Sequence, residues 1–311
     1  MFTFFTQKVA ISSDRLQTSH DGDCPLAYPG QRTCFCARAN TLIKNGQTGC
    51  RMSTLEAFLL GLIQGLTEFL PISSTGHLAL GRHAFGLQEA GLFLDTMLHI
   101  GTLVAVLYYY RDVLLDVARK PFGKLSGLLV VGTLPAVAVG LLFKDYFEAI
   151  SVSGATIGWE FLVTGAFLWF ADRLKDGHKK LQDLTYADAA VIGAFQAGAI
   201  FPAVSRSGLT IVGGLIRKLD RETAAYFSFL VSIPAIAGGI ALQSLELLEG
   251  RAAESVSLGA LAVGTLASAA FGYAAVKWMI DYLKKGSLKT FAVYVWALGL
   301  VVLAAQFAGK W

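Results

Sequence analysis

Gly61-Leu-Ile-Gln-Gly-Leu-Thr-Glu-Phe-Leu-Pro-Ile-Ser-Ser-Thr-Gly-His77 is a polar knot inside an apolar stretch, and Gly193-Ala-Phe-Gln196 continued by Phe201-Pro-Ala-Val-Ser-Arg-Ser-Gly208 repeats it. An offset of 132 carries Gly61 to Gly193, Gln64 to Gln196, Phe69 to Phe201, Ser73 to Ser205, Gly76 to Gly208 and Gly81 to Gly213 without a gap. The same offset aligns Gly127 through Gly140 with Gly259 through Gly272, with eight of fourteen positions identical. Apolar bias alone would give roughly one or two matches, so the chain is a duplicated unit.

The surroundings of the knots set the solvent. Hydrophobic residues make up 54% of the chain and charged ones 15%, against roughly 25% charged in soluble domains. Apolar runs at Phe93–Tyr110, Leu125–Phe143, Ile157–Ala171, Ala224–Leu248, Leu258–Ile280 and Phe291–Ala308 approach or exceed the ~20 residues that cross a bilayer. The expectation is an all-α membrane protein with six full spans. The net charge of +4 is confined to loops, which excludes nucleic acid as a partner and speaks only to orientation.

The knots are not simple spans. Residues 55–87 and 187–217 carry Pro, Gly and Ser at their middles, as two half-length helices meeting at a turn would. Such re-entrant hairpins are tolerated only where they are buried in protein or line a wet cavity. Pro71 and Pro202 are expected to end the inbound helices. Each repeat, 52–185 and 186–311, then reads as one re-entrant helical hairpin plus three transmembrane helices. An odd number of crossings makes the pair an inverted repeat.

Charge supports the orientation. The loops at Arg111–Lys124, Arg173–Lys180, Arg217–Arg221 and Lys284–Lys289 collect most of the Lys and Arg; the other side has Lys144, Arg251, Lys310 and Arg82. By the positive-inside rule the first hairpin opens to the exterior and the second to the cytoplasm. Residues 1–51 hold all four cysteines, Cys24, Cys34, Cys36 and Cys50, and resemble nothing downstream. They are read as a disordered or mis-assigned extension before Met52.

Two helix starts rich in hydroxyls and glycine, meeting from opposite leaflets, make an anion site, and phosphate is its usual occupant. Ser73, Thr75, Gly76, Ser205, Ser207 and Gly208 are the candidate binding residues. Arg206 offers a planar fork of donors to two phosphate oxygens. Gln64 and Glu68, four apart, share a helix face, and Glu68 suits either a divalent cation or a proton. Ser74 and His77, three apart, read as nucleophile and acid/base. Blander readings stand beside these: Glu68 and Arg206 as a structural ion pair, Ser207 bonded to the preceding turn, and His99 as a packing residue.

The stretches Gln64 to His77 and Pro202 to Gly208 resemble the two signature motifs of the undecaprenyl-diphosphatases, the bacterial bacitracin-resistance membrane phosphatases, and the resemblance covers residues 52–311. It implies hydrolysis of a polyprenyl diphosphate lipid to the monophosphate carrier of peptidoglycan precursors, with a divalent cation, Mg or Ca, in the bacterial inner membrane. Carried over by position, Glu68 matches the essential acid and metal ligand, Ser74 the proposed nucleophile, His77 the catalytic histidine and Arg206 the diphosphate-binding arginine. Gln64 matches a Glu-or-Gln position, which leaves Glu68 to bear the charge alone. The motif leaves the nucleophile open between Ser74 and His77. The rival class is an inverted-repeat secondary transporter or flippase of a phosphorylated lipid or anion. Gly213-Gly214 and Gly238-Gly239 permit close helix contact, within the chain or in a homodimer.

Overall fold

The computed structural model describes residues 52–87, 92–174, 177–248, 256–284 and 286–311. The expectation for residues 1–51, its cysteines included, lies outside the described residues, as do Lys175, Arg251 and Lys285.

Each hairpin begins with a reciprocal cap. In α1 (Thr54–Phe69) Ser53 Oγ accepts from Glu56 N while Glu56 Oε2 accepts from Ser53 N. At the start of the helix Tyr186–Gly198, Thr185 and Asp188 make the same capping box. Ser53 and Glu56 become Thr185 and Asp188 under the 132 offset, so the duplication reaches the helix starts themselves. After α1 the backbone turns extended at Leu70, and α2 (Ser74–Phe85) starts with Ser73 Oγ capping Gly76 N.

The chain continues through α3 (Leu92–Tyr109), α4 (Arg111–Arg119), α5 (Lys124–Leu142), α6 (Lys144–Ser153), α7 (Ile157–Asp172) and a short 3₁₀ turn, Leu181–Asp183. The second hairpin is α8 (Tyr186–Gly198) and α9 (Arg206–Ile216), followed by α10 (Arg221–Leu248), α11 (Leu258–Leu283) and α12 (Lys289–Phe307). Among the described residues there is no strand, only the isolated bridge between Lys179 and Leu219.

Four helices, α5, α10, α11 and α12, are long and apolar enough to cross a membrane, and α3 with α4 makes a fifth candidate bent by 77°. The chain is an integral membrane protein. The expectation of six spans is therefore met at four or five by length and composition. The run at 157–171 forms a helix of 16 residues, about 24 Å long, and Tyr110 breaks the run that begins at Phe93. Pro71 stands where α1 stops, as expected. Pro202 does not end α8, which stops earlier, at Gly198.

The repeats exchange partners. The inbound helix α1 packs on α11 of the second repeat, and its counterpart α8 packs on α5 of the first. Glycine makes both contacts: Gly61 lies against Gly264, and a Cβ at Gly193 would stand 2.6 Å from the Gly132 carbonyl oxygen. The offset carries one pair into the other, Gly61 to Gly193 and Gly132 to Gly264. Of the other glycines, Gly213 packs on Ile192 and Phe195 and Gly214 on Ala224, inside the chain, whereas a Cβ at Gly238 or Gly239 would meet nothing within 4 Å.

Candidate active site

The two hairpin tips meet. The Arg206 guanidinium pairs with Glu68, Ser207 Oγ donates to the Leu70 carbonyl at 2.7 Å, and Ser73 Oγ donates to the Pro202 carbonyl at 3.3 Å. Each of these contacts joins one repeat to the other. Ser207 Oγ thus donates across to the first tip and not to a carbonyl of its own preceding turn, and it lies 3.2 Å from Ser205 Oγ.

A cavity of about 670 Å³ opens beside them. Glu68, Ser73, Ser74, Thr75, Ser205, Arg206 and Ser207 line it, so seven residues singled out from sequence share one space. Glu68 is its hub. Ser74 Oγ donates to Glu68 Oε2 at 2.6 Å and Gln64 Nε2 donates to the same oxygen at 2.8 Å. Arg206 engages Glu68 through Nη2, while its Nη1 is buried without a hydrogen-bond partner. A donor left in that condition favours an arriving anion.

Backbone geometry aims these groups. Ser73 has φ 69° and ψ 106°, a sparsely populated region for a residue with a Cβ that costs about 1–3 kcal/mol. Its repeat mate Ser205 is relaxed at φ −73°. The strained turn brings Ser74, six residues after Glu68, back onto that carboxylate. Gly76 and Gly208 do not line the cavity. A Cβ at Gly76 would stand 2.6 Å from Phe161 Cζ and 3.1 Å from Ala203 Cβ of the second tip, so close packing requires glycine there, whereas one at Gly208 would be tightest against Ser205 of its own turn, at 3.1 Å.

His77 is not brought to Ser74. Its Nδ1 lies 2.7 Å from the Ser73 carbonyl oxygen, so Nδ1–H is the donor, and Nε2 lies 2.8 Å from Tyr294 Oη on α12. The ring stacks on Tyr294 and meets Phe161 edge-on, outside the cavity. The histidine on the cavity wall is His99, taken from sequence as a packing residue. Its Nδ1–H donates to the Asp95 carbonyl at 2.7 Å, which turns Nε2 to within 3.9 Å of Glu68 Oε2. A usable signal lay in the repeat itself, since the offset pairs His99 with Val231: a polar residue kept in one copy only marks functional asymmetry.

Among the described residues no three His, Cys, Asp or Glu side chains gather to cage a cation. One carboxylate, with the unpartnered Gln64 Oε1 beside it, fits a cation that takes its remaining oxygens from a diphosphate and water, as Mg commonly does. The outer wall of the cavity carries Lys144, which pairs with Glu246 at 2.5 Å and with Glu148 at 3.4 Å.

A family model described as bacitracin resistance protein BacA matches residues 57–301. Undecaprenyl-diphosphatase 4 of Bacillus cereus is 66% identical over 256 residues, covering 82% of this chain and 98% of that one. Undecaprenyl-diphosphatase of Carboxydothermus hydrogenoformans is 49% identical over 260 residues, 83% of this chain and 100% of its own. That of Alkaliphilus metalliredigens is 40% identical over 271 residues, 81% of this chain and 98% of its own. The matched segment contains both tips and the cavity between them, and the chain belongs to the bacitracin resistance protein BacA family.

Proposed function

We propose that this protein is an integral membrane phosphatase that hydrolyses undecaprenyl diphosphate to undecaprenyl phosphate and phosphate, recycling the lipid carrier for peptidoglycan synthesis and so supporting cell-wall biogenesis, cell shape and bacitracin resistance. The observation that carries the reading is Arg206, a residue of the cavity wall together with Ser73, Ser74 and Thr75, whose guanidinium holds Glu68 with one nitrogen and keeps another buried and unpartnered. The names of the relatives point the same way.

In this reading Arg206 grips the diphosphate and stabilises the charge that develops in transfer. Ser74 Oγ attacks the terminal phosphorus, the bond to the bridging oxygen breaks, and undecaprenyl phosphate leaves. The Ser74 proton passes to Glu68 Oε2, which already accepts it in a hydrogen bond. Glu68 passes that proton to the departing undecaprenyl phosphate; water then attacks the phosphoserine, Glu68 takes up the water proton, and it returns that proton to Ser74 Oγ as the serine departs. His77 holds the Ser73 carbonyl and so supports the turn that aims Ser74. A divalent cation, Mg or Ca, bound through Glu68 would neutralise the diphosphate charge when present.

The same proposal takes the fold as an inverted repeat of two re-entrant hairpins, each with three membrane segments, and counts the short α7 among the six. The exchanged glycine contacts support it. The exterior is assigned to the cavity side, because Lys144 and Arg82 are sparse there while the connections at 111–124, 177–180 and 217–221 are cation-rich. The isoprenoid tail lies in the bilayer beside the cavity.

Phosphate release from polyprenyl diphosphate in detergent micelles tests the reading, because micelles sustain no gradient and score no transport. Wild-type turnover that Arg206→Ala abolishes in a folded sample is the expected result. Turnover retained by Arg206→Ala would end the assignment, and no wild-type turnover would favour the transporter class.

A further inference from the structure

Glu160 is a carboxylate in an apolar helix, 6% exposed, with no part in the reaction above. A carboxylate buried in this setting is costly unless its oxygens are engaged. Its Oε2 accepts a hydrogen bond from Ala203 N. One turn further along α7, the fully buried Thr164 accepts from Ser205 N at 3.1 Å through Oγ1. Residues four apart share a helix face, and this face of α7 meets the non-helical tip between α8 and α9.

From Pro202 to Ser205 the tip's backbone donors are thereby accounted for. Pro202 has none, Ala203 N goes to Glu160, Val204 N to the Phe201 carbonyl at 3.1 Å, and Ser205 N to Thr164. Buried N–H groups of a turn have no ladder to satisfy them, so their partners fix where the turn sits. The next residue is Arg206.

We propose that Glu160 and Thr164 are positioning residues, two acceptors on α7 that fix the second tip and with it the Arg206 guanidinium at the cavity. Resting on the phosphatase reading, this assigns α7 the task of holding the anion-gripping arm. The first tip is held differently: the offset turns Glu160 into Ala292 and Thr164 into Trp296 on α12, while Ser73 leans on the Pro202 carbonyl and on His77, which reaches Tyr294 of α12.

Only one oxygen of Glu160 is used, so glutamine carries the acceptor that is needed. The test uses the full chain purified in detergent, with polyprenyl diphosphate as substrate and inorganic diphosphate as competitive inhibitor. Glu160→Ala and Thr164→Val should each lower kcat/KM about tenfold and raise the inhibition constant by a similar factor, while Glu160→Gln and Thr164→Ser recover to within about threefold of wild type. In an Arg206→Lys background the Glu160→Ala loss should shrink to less than about twofold, because both changes act on one element. Wild-type kinetics in Glu160→Ala, or an undiminished loss in the Arg206→Lys background, overturns the proposal. Should Glu160→Ala not fold, Thr164→Val carries the same comparisons. Should the wild type release no phosphate while calorimetric binding of inorganic diphosphate still weakens in Glu160→Ala, the phosphatase reading fails and the positioning role stands.

Discussion

Ser74 Oγ donates to Glu68 Oε2 across 2.6 Å, although His77 lies one helical turn beyond Ser74 on the same helix. The hydrogen-bond acceptor of this hydroxyl is therefore the carboxylate, which the proposed reaction makes its proton acceptor. Ser74→Ala and Glu68→Gln should each reduce phosphate release by about a thousandfold, with the double variant no worse than either, because the two act as one unit. Single-turnover phosphate release from the three variants checks this; additive losses would separate the roles.

The chemistry of the trapped intermediate distinguishes serine from histidine. Phosphate carried from a labelled terminal phosphate should remain on the quenched protein through acid, as a serine ester does and a phosphohistidine does not. His77→Ala should still form it, because His77 is bonded to Ser73 and Tyr294 outside the cavity. Label lost in acid would move the nucleophile to His77.

One helical turn before Glu68 stands Gln64 and not a second carboxylate, and its Nε2 donates to Glu68. Chelation should lower phosphate release, and Gln64→Glu should reduce the Mg concentration needed for half-maximal turnover by about fivefold, since a second carboxylate one turn away adds charge to the site. Metal titration of the two proteins decides it, and identical midpoints would remove position 64 from the cation's surroundings.

Gly193 cannot carry a side chain where it meets the Gly132 carbonyl oxygen. Gly193→Leu should cost about 2 kcal/mol or more through overpacking, and Gly61→Leu, its repeat mate against Gly264, should do the same. Gly238→Leu, which meets no atom within 4 Å, should be near neutral. Thermal unfolding in detergent ranks the three.

Asp220, in the connection between α9 and α10, accepts from Thr223 N and Thr223 Oγ1, each at 3.0 Å, and pairs with Lys180 at 3.2 Å. Burial raises its pKa, but these hydrogen bonds and the lysine charge outweigh burial and hold the carboxyl below its ordinary value. The stabilisation is complete above the unfolded value of about 3.9 and is lost as pH falls through the lower native one. Melting points measured from about pH 6 down to about pH 3 should therefore fall less steeply for Asp220→Asn than for the wild type.

Much of this was readable from the chain because duplication is a strong constraint. The meeting of the two tips and the clustering of the hydroxyls followed from polar residues at matching offsets in an apolar background, whereas the pairing of Glu68 with Arg206 stood only as the blander alternative. The aim of individual side chains did not. Ser74 and His77 at three-residue spacing look like a pair, but the positive φ at Ser73 sets the rotation of α2, sending one to the cavity and the other to Tyr294. Helix count was blurred for a similar reason: hydropathy runs continue through Tyr110, where the backbone bends by 77°. Glu160 passed unremarked as a single acid within an apolar run, the kind of residue whose partner, here a backbone N–H some forty positions away, leaves no trace in local pattern.

The exchanged glycine seams bear on how the molecule comes into being. α1 cannot complete its packing until α11 emerges from synthesis nearly two hundred residues later, and α5 must wait for α8. During that interval the leading half inhabits the lipid with its tightest surfaces still uncovered, so neither half can mature alone and assembly closes only when the tail end of the polypeptide threads back between helices made at the beginning.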